Sequence, residues 1–267
     1  MRVAATFATT AVLALTVAFA TASASVSTPA KASAGTLRFC SDITYPPEEF
    51  YKGTKPAGSD IDIGTEIAKR MGVKAEFKNT TFDGIIAALL AKKCDAIISG
   101  MNDTATRRKA VDFVDYLKVG QSLLVKKGNP KQIKTLADLS GRTVSVESGT
   151  TNRDFLAAES AKLQKAGKKS ISIKTFPKDT DAAAALKAGR VDAYFGDSPV
   201  AVLYATQDKS LQVAGSPIDP IPIGIATRKG DPLHGAIQKA INILYANGAM
   251  KKIVAKWGMT NAVTLLK

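Results

Sequence analysis

The sequence predicts an α/β protein of two similar lobes that two extended segments connect. In each half of the chain, short apolar runs of strand length alternate with amphipathic runs of helical period, which favours parallel sheets. The halves also resemble each other, because Asp95-Ala96 and Asp192-Ala193 each begin an apolar run after a helical pattern. Two extended stretches, over residues 119–127 and 218–227, run between the halves. Two such connections between lobes are expected to form a hinge.

The first half begins with an apolar run that predicts a strand over residues 36–41. A loop rich in Tyr, Pro, Glu and Gly is expected over residues 45–58. Asp60 is predicted to cap the next helix, and Gly72 to end it. The later elements are a strand, a helix and a strand over residues 73–77, 82–92 and 96–99. The side chains expected to face the core from that helix are Ile85, Ile86, Leu89 and Leu90.

The second half repeats this order and closes with two helices. Its predicted strands lie over residues 143–146, 170–176 and 191–195. Its predicted helices lie over residues 150–164, 180–188, 232–246 and 249–257. Gly248 and Gly258 follow the last two helices, where glycine commonly ends a helix. We expect a first lobe of residues 36–118 plus 222–267, and a second lobe of residues 119–221 that includes the hinge segments.

The N-terminus has the pattern of a secretory signal. One arginine precedes an uncharged apolar segment, and Ala22-Ser23-Ala24 offers small residues for cleavage. We expect a signal peptide over residues 1–24 and a flexible lead-in over residues 25–35; the alternative is a retained membrane anchor. No later apolar run reaches the roughly 18 residues of a membrane helix. The mature chain is therefore expected to be exported and soluble in the periplasm.

The chain of 267 residues is basic, with a formal net charge of +14. Such a charge raises nucleic acid and anionic membranes as partners. The lysines are spread along the whole chain, aromatic residues make up only 6%, and no nucleic-acid-binding motif is present. A solvated basic surface is the better interpretation, and no nucleic-acid partner is expected.

The two cysteines, Cys40 and Cys94, raise the question of a disulfide, which is the usual expectation for an exported protein. The predicted strands argue against it. If Asp42 and Ser99 lie level on parallel neighbours, the cysteines are offset by about three residues, or roughly 10 Å. This exceeds the Cα separation of a disulfide. We therefore expect free, buried thiols.

The sequence contains no arrangement typical of catalysis or of metal binding. His234, the single histidine, lies at a predicted helix start without a neighbouring cluster of ligands, which argues against a histidine triad or a zinc site. Gly149-Thr150-Thr151 lacks the lysine of a phosphate-binding loop. Glu48 and Glu49 are adjacent in a Pro-rich loop, where we expect them to be solvated. No enzymatic activity, metal or cofactor is expected.

Residues 95–108 combine a strand end, small polar side chains and an arginine pair, where ligands of α/β sheets commonly bind. A buried amino acid needs partners for both its carboxylate and its ammonium. Arg107 suits the carboxylate, and the helix start at Thr150 and Thr151 could hold the same group from the other lobe. Asp197 could pair with the ammonium. The alternatives are a surface charge for Arg107 and helix capping for Asp197.

Seven stretches, in their order along the chain, resemble one known family. They cover residues 41–50, 58–63, 82–86, 95–107, 147–151, 189–193 and 224–230. The chain resembles the amino-acid-binding proteins of ABC importers, which form family 3 of the extracellular solute-binding proteins. This resemblance implies a two-lobed Venus-flytrap, the type II periplasmic binding protein fold, with two hinge strands and a ligand enclosed between the lobes.

The resemblance also implies roles for individual residues. Tyr45 and Phe82 would sandwich the side chain of the ligand. Residues that would hold the α-carboxylate are Ser99, Gly100, Asn102, Arg107 and Thr151. Asp197 would hold the α-ammonium, with help from the Ser99 hydroxyl or the Gly100 carbonyl. Two positions depart from the family: Asn102 replaces a common Thr or Ser, and Glu147 replaces a common Gln, Leu or Lys.

Asp42 and Glu147 would lie near the distal end of the ligand, which favours a cationic side chain such as that of arginine, lysine, ornithine or histidine. Glutamine stays open if Glu147 points to solvent. The implied function is that of a monomeric receptor that binds a free L-amino acid and delivers it to a membrane permease. The alternatives are a prephenate-like dehydratase, with Glu147 as its general acid, and an adhesin or sensor partner that uses the same site.

Overall fold

The computed structural model describes Met1 and residues 35–267. Apart from Met1, the predicted signal peptide lies outside these residues, as does all of the lead-in except Gly35. The strands are β1 (Thr36–Ser41), β2 (Thr44–Tyr45), β3 (Glu49–Lys52), β4 (Lys55–Ala57), β5 (Lys74–Asn79), β6 (Ala96–Ile97), β7 (Val111–Lys126), β8 (Thr143–Glu147), β9 (Ser172–Phe176), β10 (Ala193–Asp197), β11 (Leu211–Arg228) and β12 (Val263–Thr264). The helices are α1 (Ser59–Arg70), α2 (Ile85–Leu90), α3 (Thr151–Lys165), α4 (Asp179–Lys187), α5 (Ser198–Gln207), α6 (Leu233–Ala246) and α7 (Ala249–Lys256).

Two parallel sheet regions are joined by two long antiparallel strands. Within residues 35–267, one sheet runs in the order β5-β1-β6-β11-β7-β10-β8-β9, and β12 pairs with β7. β1 is parallel to β5 and β6, and β8 is parallel to β9 and β10. β7 and β11 are paired from Lys126 and Leu211 at one end to Val111 and Arg228 at the other. The predicted α/β Venus-flytrap with two hinge strands is confirmed.

Buried apolar side chains pack in groups on either side of the hinge strands. Side chains from residues 37–119 and 223–259 form two of these groups. Side chains from residues 123–214 form two others, one of which also includes Tyr45. Each buried aliphatic side chain stabilises the fold by roughly 1.5–3 kcal/mol. The lobe boundaries given above, at 118/119 and 221/222, stay a prediction.

Cys40 and Cys94 form a disulfide with Cα atoms 5.6 Å apart, so the expectation of free thiols is wrong. The assumed register is right, because Cys40 pairs with Ile97 in the parallel β1–β6 ladder. The error lies in treating Cys94 as part of an extended strand. β6 begins only at Ala96, and residues 91–95 are turns and bends. The bent chain returns towards β1 and shortens the distance between the cysteines.

The expected loop over residues 45–58 contains a small antiparallel sheet of β2, β3 and β4. This sheet buries Glu48 and Glu49, which are 1% and 0% exposed, so the expectation that they are solvated is wrong. Gly58 joins the sheet to α1 with φ +133°, and a Cβ there would lie 2.0 Å from the carbonyl oxygen of Glu48. Only glycine permits this approach.

Two further local predictions are wrong. Asp60 does not cap α1, because Gly58 precedes the helix and the Asp60 carboxylate instead accepts hydrogen bonds from the Gly100 N–H and the Tyr116 hydroxyl. Leu90 does not face the core, since α2 ends there and the side chain is 48% exposed.

In residues 35–267, no helix combines the length and the hydropathy that a membrane crossing requires.

Candidate functional site

The parallel pairing of β1 and β6 brings Asp42 and Ser99 together at the carboxyl ends of the strands. The Asp42 N–H donates to the Ser99 Oγ over 2.9 Å. The Asp42 carboxylate accepts from the Thr44 hydroxyl over 2.7 Å and from the Phe82 N–H over 2.7 Å. Burial raises the pKa of Asp42, although these hydrogen bonds oppose the shift. The strand ends therefore present a carboxylate and a hydroxyl to one region of the cleft.

Asn102 and Thr151 contact each other from opposite sides of the cleft. The Thr151 Oγ1 donates to the Asn102 Oδ1 over 2.5 Å. This contact leaves the buried Asn102 Nδ2 as a donor without a hydrogen-bond partner among the described residues. Thr150 precedes α3, and its hydroxyl accepts from the Arg153 N–H and donates to the Glu147 carbonyl. The Thr150 hydroxyl hydrogen is therefore used within the second half of the chain.

Arg107 lies between the two halves rather than on the outer surface. Its Nη1 donates to the Asn102 carbonyl over 2.8 Å, and its Nη2 donates to the Gly149 carbonyl over 3.1 Å. Its Cζ lies 5.2 Å from the centroid of the Phe82 ring, a favourable cation–π distance. Burial lowers the pKa of Arg107, although the Asp197 carboxylate opposes this shift. The guanidinium is fixed on one edge and retains further N–H donors for an anion.

Asp197 ends β10 and precedes α5, but its side chain forms no capping hydrogen bond. Its Oδ1 accepts from the Asn152 Nδ2 over 3.1 Å, and its N–H donates to the Tyr45 hydroxyl over 3.3 Å. Burial raises its pKa to about 6, while hydrogen bonds and the charge of Arg107 oppose the rise. Asp197 therefore occupies the N-cap position of α5 without capping the helix through its side chain, and the carboxylate is buried near a guanidinium.

Tyr45 and Phe82 contact different groups. Tyr45 is 6% exposed and packs against the second half of the chain, including Tyr194. The Tyr45 ring also lies beside Gly100, at 3.4 Å from the position that a Cβ would take there. Phe82 lies against Arg107. The sandwich of a ligand side chain between the two rings stays a prediction.

A second group of carboxyls surrounds Glu147. Glu147 is 3% exposed, so its carboxyl does not point to solvent, and its Oε1 has no hydrogen-bond partner among the described residues. Burial, together with the charges of Asp179 and Asp42, raises its pKa well above the ordinary value. Asp179 accepts from the Tyr194 and Tyr204 hydroxyls over 2.6 and 2.8 Å, and burial raises its pKa to about 7.

Sequence reasoning missed several polar residues of this region. Asn152 directly follows Thr151, a predicted ligand-binding residue at the start of α3. This neighbouring position is the signal that could have indicated a role for Asn152. Asp179 begins α4, where an acidic residue usually indicates only a favourable helix start. Glu49 and Asp60 lie within the family-like stretches, but nothing in their spacing indicated that they contact Ser99 and Gly100.

These contacts define a two-lobed binding protein whose cleft carries opposite charges. Residues 37–260 match bacterial extracellular solute-binding proteins, family 3. The L-cystine-binding protein TcyJ of Escherichia coli K12 is 32% identical over 227 residues, covering 84% of this chain and 82% of that protein. The ABC transporter arginine-binding protein 1 of the same organism is 30% identical over 228 residues, covering 83% and 90%. An ancestral arginine-binding protein bound to arginine superposes with a TM-score of 0.77 at 40% identity, covering 84% and 98%.

The chain belongs to family 3 of the bacterial extracellular solute-binding proteins. The resemblance drawn from the sequence is therefore confirmed. These three relatives carry the names of binding proteins rather than of enzymes.

Proposed function

We propose that this chain is the substrate-binding component of an ABC importer and that it binds an L-amino acid with a cationic side chain. It encloses the amino acid between its lobes, delivers it to a membrane permease and catalyses no reaction. Family membership supports the transport role, and two of the relatives are named for binding arginine.

The observation that carries this proposal is the pairing of charges across the cleft. Arg107 comes from the first half of the chain and Asp197 from the second, and each is near enough to influence the pKa of the other. An α-amino acid carries complementary charges on one carbon. Binding its carboxylate at Arg107 and its ammonium at Asp197 would satisfy both groups in a buried site.

The hydrogen-bond polarity around these charges supports the same orientation. The unpartnered Asn102 Nδ2 is a donor and suits the carboxylate, as do the first N–H groups of α3 at Thr151 and Asn152. The Ser99 hydroxyl already donates to Glu49 and accepts from the Asp42 N–H. Its remaining lone pair is an acceptor and suits the ammonium.

The selection of a cationic side chain rests on Asp42 and Glu147. Both carboxyls are buried, and the charge of Asp42 raises the pKa of Glu147. A guanidinium or ammonium between them would relieve this repulsion. Glutamine would require Glu147 to point to solvent, and its burial therefore favours the cationic ligand.

The proposal includes the predicted lobes, with residues 36–118 plus 222–267 closing on residues 119–221. It also includes export through cleavage after Ala24, and function as a monomer in the periplasm. N-terminal sequencing of the secreted protein and light scattering of the purified protein would test these two points directly.

A thermal-shift screen with all L-amino acids tests the proposed function, because a ligand that binds only the folded state raises the melting temperature. We expect arginine, lysine, ornithine or histidine to give the largest shift, and glutamate and aspartate to give none. The absence of a shift with any amino acid would contradict the transport role. Conversion of prephenate by the purified chain would establish the dehydratase alternative.

A further inference from the structure

Two acidic side chains lie behind the proposed ammonium site without facing the ligand. Glu49 begins β3, and Asp60 lies in the first turn of α1. Both are 0% exposed. The ion pairs of residues 35–267 include neither of them. Buried carboxyls without a cation need another source of stabilisation.

Each carboxyl is bonded to one of two consecutive residues of the cleft. The Ser99 Oγ donates to the Glu49 Oε1 over 2.7 Å. The Gly100 N–H donates to the Asp60 Oδ2 over 2.8 Å. The Tyr116 hydroxyl, from β7, lies 2.8 Å from each Asp60 oxygen. β3 and α1 therefore hold the short segment that follows β6, and β7 in turn holds Asp60.

The two carboxyls also influence each other. The Glu49 side chain lowers the pKa of Asp60, and the charge of Asp60 raises the pKa of Glu49. The Glu49 Oε2 has no hydrogen-bond partner in the described part of the chain, and a hydrogen on this carboxyl would supply a donor towards Asp60. Asp60 already receives hydrogens from Gly100 and Tyr116. A proton on Glu49, with Asp60 as its acceptor, fits these contacts.

The surroundings favour this protonation. Burial raises the pKa of Glu49 well above its ordinary value, and the carboxyls of Asp60, Glu48 and Asp42 raise it further. The Ser99 hydroxyl acts in the opposite direction. Two adjacent carboxylates in a dry site cannot both stay ionised. One shared proton removes one of the two charges.

This arrangement determines what Ser99 and Gly100 can offer to a ligand. The hydroxyl hydrogen of Ser99 is held by Glu49, and one of its lone pairs is occupied by the Asp42 N–H. The N–H of Gly100 is held by Asp60. Both donors are directed away from the cleft, so the free capacity of the Ser99 hydroxyl is that of an acceptor.

We propose that Glu49 and Asp60 are positioning residues that share one proton and thereby fix Ser99 and Gly100 as acceptors for the α-ammonium of the ligand. Neither carboxyl touches the ligand. The inference rests on the proposed function, because it explains why Ser99 and Gly100 offer acceptors to the ammonium of an amino acid. It also identifies a protonated buried glutamate that would exist without any ligand.

Substitutions at Glu49 test the pair through binding. Gln places a carbonyl where Ser99 donates and an N–H₂ where Asp60 accepts, so Glu49→Gln reproduces the protonated acid, whereas Glu49→Ala removes both contacts. For Glu49→Ala we expect the Kd for L-arginine to rise at least about tenfold, and for Glu49→Gln to restore most of this loss. In Asp60→Asn, an amide N–H₂ would face the N–H of Gly100 or the hydroxyl of Tyr116. This variant should therefore also weaken binding. Glu76→Gln, at an exposed glutamate of β5, is the control without an expected effect.

A truncated ligand separates positioning from general damage. 5-Guanidinopentanoate is arginine without its α-ammonium. Because the pair acts through the acceptors for that ammonium, Glu49→Ala should weaken L-arginine much more than 5-guanidinopentanoate. Equal losses for both compounds, or an unchanged affinity for L-arginine in Glu49→Ala, would overturn the proposal.

The pH dependence of unfolding tests the shared proton without a ligand. A glutamate with a raised pKa in the folded protein contributes stability that is lost as pH rises from its ordinary range to the raised value. Urea unfolding between pH 5 and 9 should show this loss in the wild type and in the exposed-site control Glu76→Gln, and a smaller loss in Glu49→Gln. Parallel curves for the wild type and Glu49→Gln would overturn the shared proton. A wild type that binds no amino acid would refute the proposed function but leave this second result decisive.

Discussion

At the scale of single residues, recognition depends on how few polar atoms remain free for a ligand. The hydroxyl of Ser99 and the N–H of Gly100 are used inside the first half of the chain, whereas the Nδ2 of Asn102 is not. Arg107 donates with both terminal nitrogens and still has N–H groups available. The directions in which the free donors and acceptors point, as well as the charges, therefore determine which ligand groups the cleft can bind.

Asp197→Asn tests the ammonium partner through pH. The pKa of Asp197 is about 6 without ligand, and a bound ammonium would lower it. Protonation below pH 6 therefore competes with binding, and the affinity for L-arginine should fall by up to about tenfold per pH unit there. Titration calorimetry from pH 5 to 8 should show this fall in the wild type. Asn cannot titrate, so an identical profile in Asp197→Asn would contradict the assignment.

Glu147→Gln tests the cationic selectivity. Burial raises the pKa of Glu147, and a guanidinium beside it would lower that pKa again, so L-arginine should release protons on binding where the pH lies between the lowered and the raised pKa. Calorimetry in buffers of different ionisation enthalpy measures this release. L-citrulline, the neutral analogue of arginine, should release fewer protons, and Glu147→Gln should reduce the release with arginine. Equal release for both ligands would argue against a distal cation site.

At the scale of elements, sequence patterns performed best where an element is long or strongly apolar. β1 was predicted residue for residue, and the helices before Gly248 and Gly258 end close to their predicted positions. β2, β3 and β4 were missed because strands of two to four residues are too short to show alternation. The expected 82–92 helix is reduced to a 3-10 turn and α2. α5 was missed because its apolar residues surround the helix without periodicity.

The candidate site also contains residues that could be predicted from the sequence and residues that could not. Arg107, Asp197 and Thr151 could be singled out because their residue types and strand-end positions fit an amino acid. Glu49 and Asp60 could not be singled out, because their importance comes from burial and from contacts across three elements. The disulfide was missed because one bend before β6 changes a distance that an extended chain would make too long.

Removal of the Cys40–Cys94 disulfide should destabilise the first lobe. The bond links positions 54 residues apart, and loss of such a crosslink typically costs about 2–4 kcal/mol. We expect the double variant Cys40→Ala/Cys94→Ala to lower the free energy of urea unfolding by that amount. Thiol titration of the denatured wild type without reductant should find no free thiols; two free thiols would contradict the bond.

Gly149→Ala tests whether the lobes must approach closely to bind. Gly149 and Gly167 have φ values of +75° and +72°, so alanine at either position is strained by about 1–2 kcal/mol. A Cβ at Gly149 would also lie 2.8 Å from the Asp83 Cα, whereas nothing lies within 4 Å at Gly167. Both variants should lose similar stability, but only Gly149→Ala should raise the Kd for L-arginine, by about tenfold or more. Equal Kd values would show that this approach is not needed for binding.

At the scale of the whole molecule, the fold places complementary groups on two bodies that share β7 and β11. The Asn102–Thr151, Arg107–Gly149 and Tyr45–Asp197 contacts all cross from one half to the other. A ligand that contacts both halves stabilises the closed arrangement by its differential affinity for that state. The two long strands connect the two parallel sheet regions, and their pairing has register shifts between Ala214 and Ile218, between Ile218 and Ile221, and between Ile223 and Gly224.

The central claim is that the cleft recognises both charges of one α-amino acid at the same time. The most direct test is calorimetric titration of the wild type with L-arginine, agmatine and 5-guanidinopentanoate at one pH and ionic strength. Agmatine lacks the carboxylate that Arg107 would bind, and 5-guanidinopentanoate lacks the ammonium that Asp197 would bind. The account predicts measurable binding of L-arginine and affinities at least about tenfold weaker for both truncated compounds. Equal affinity for L-arginine and either truncated compound would contradict it.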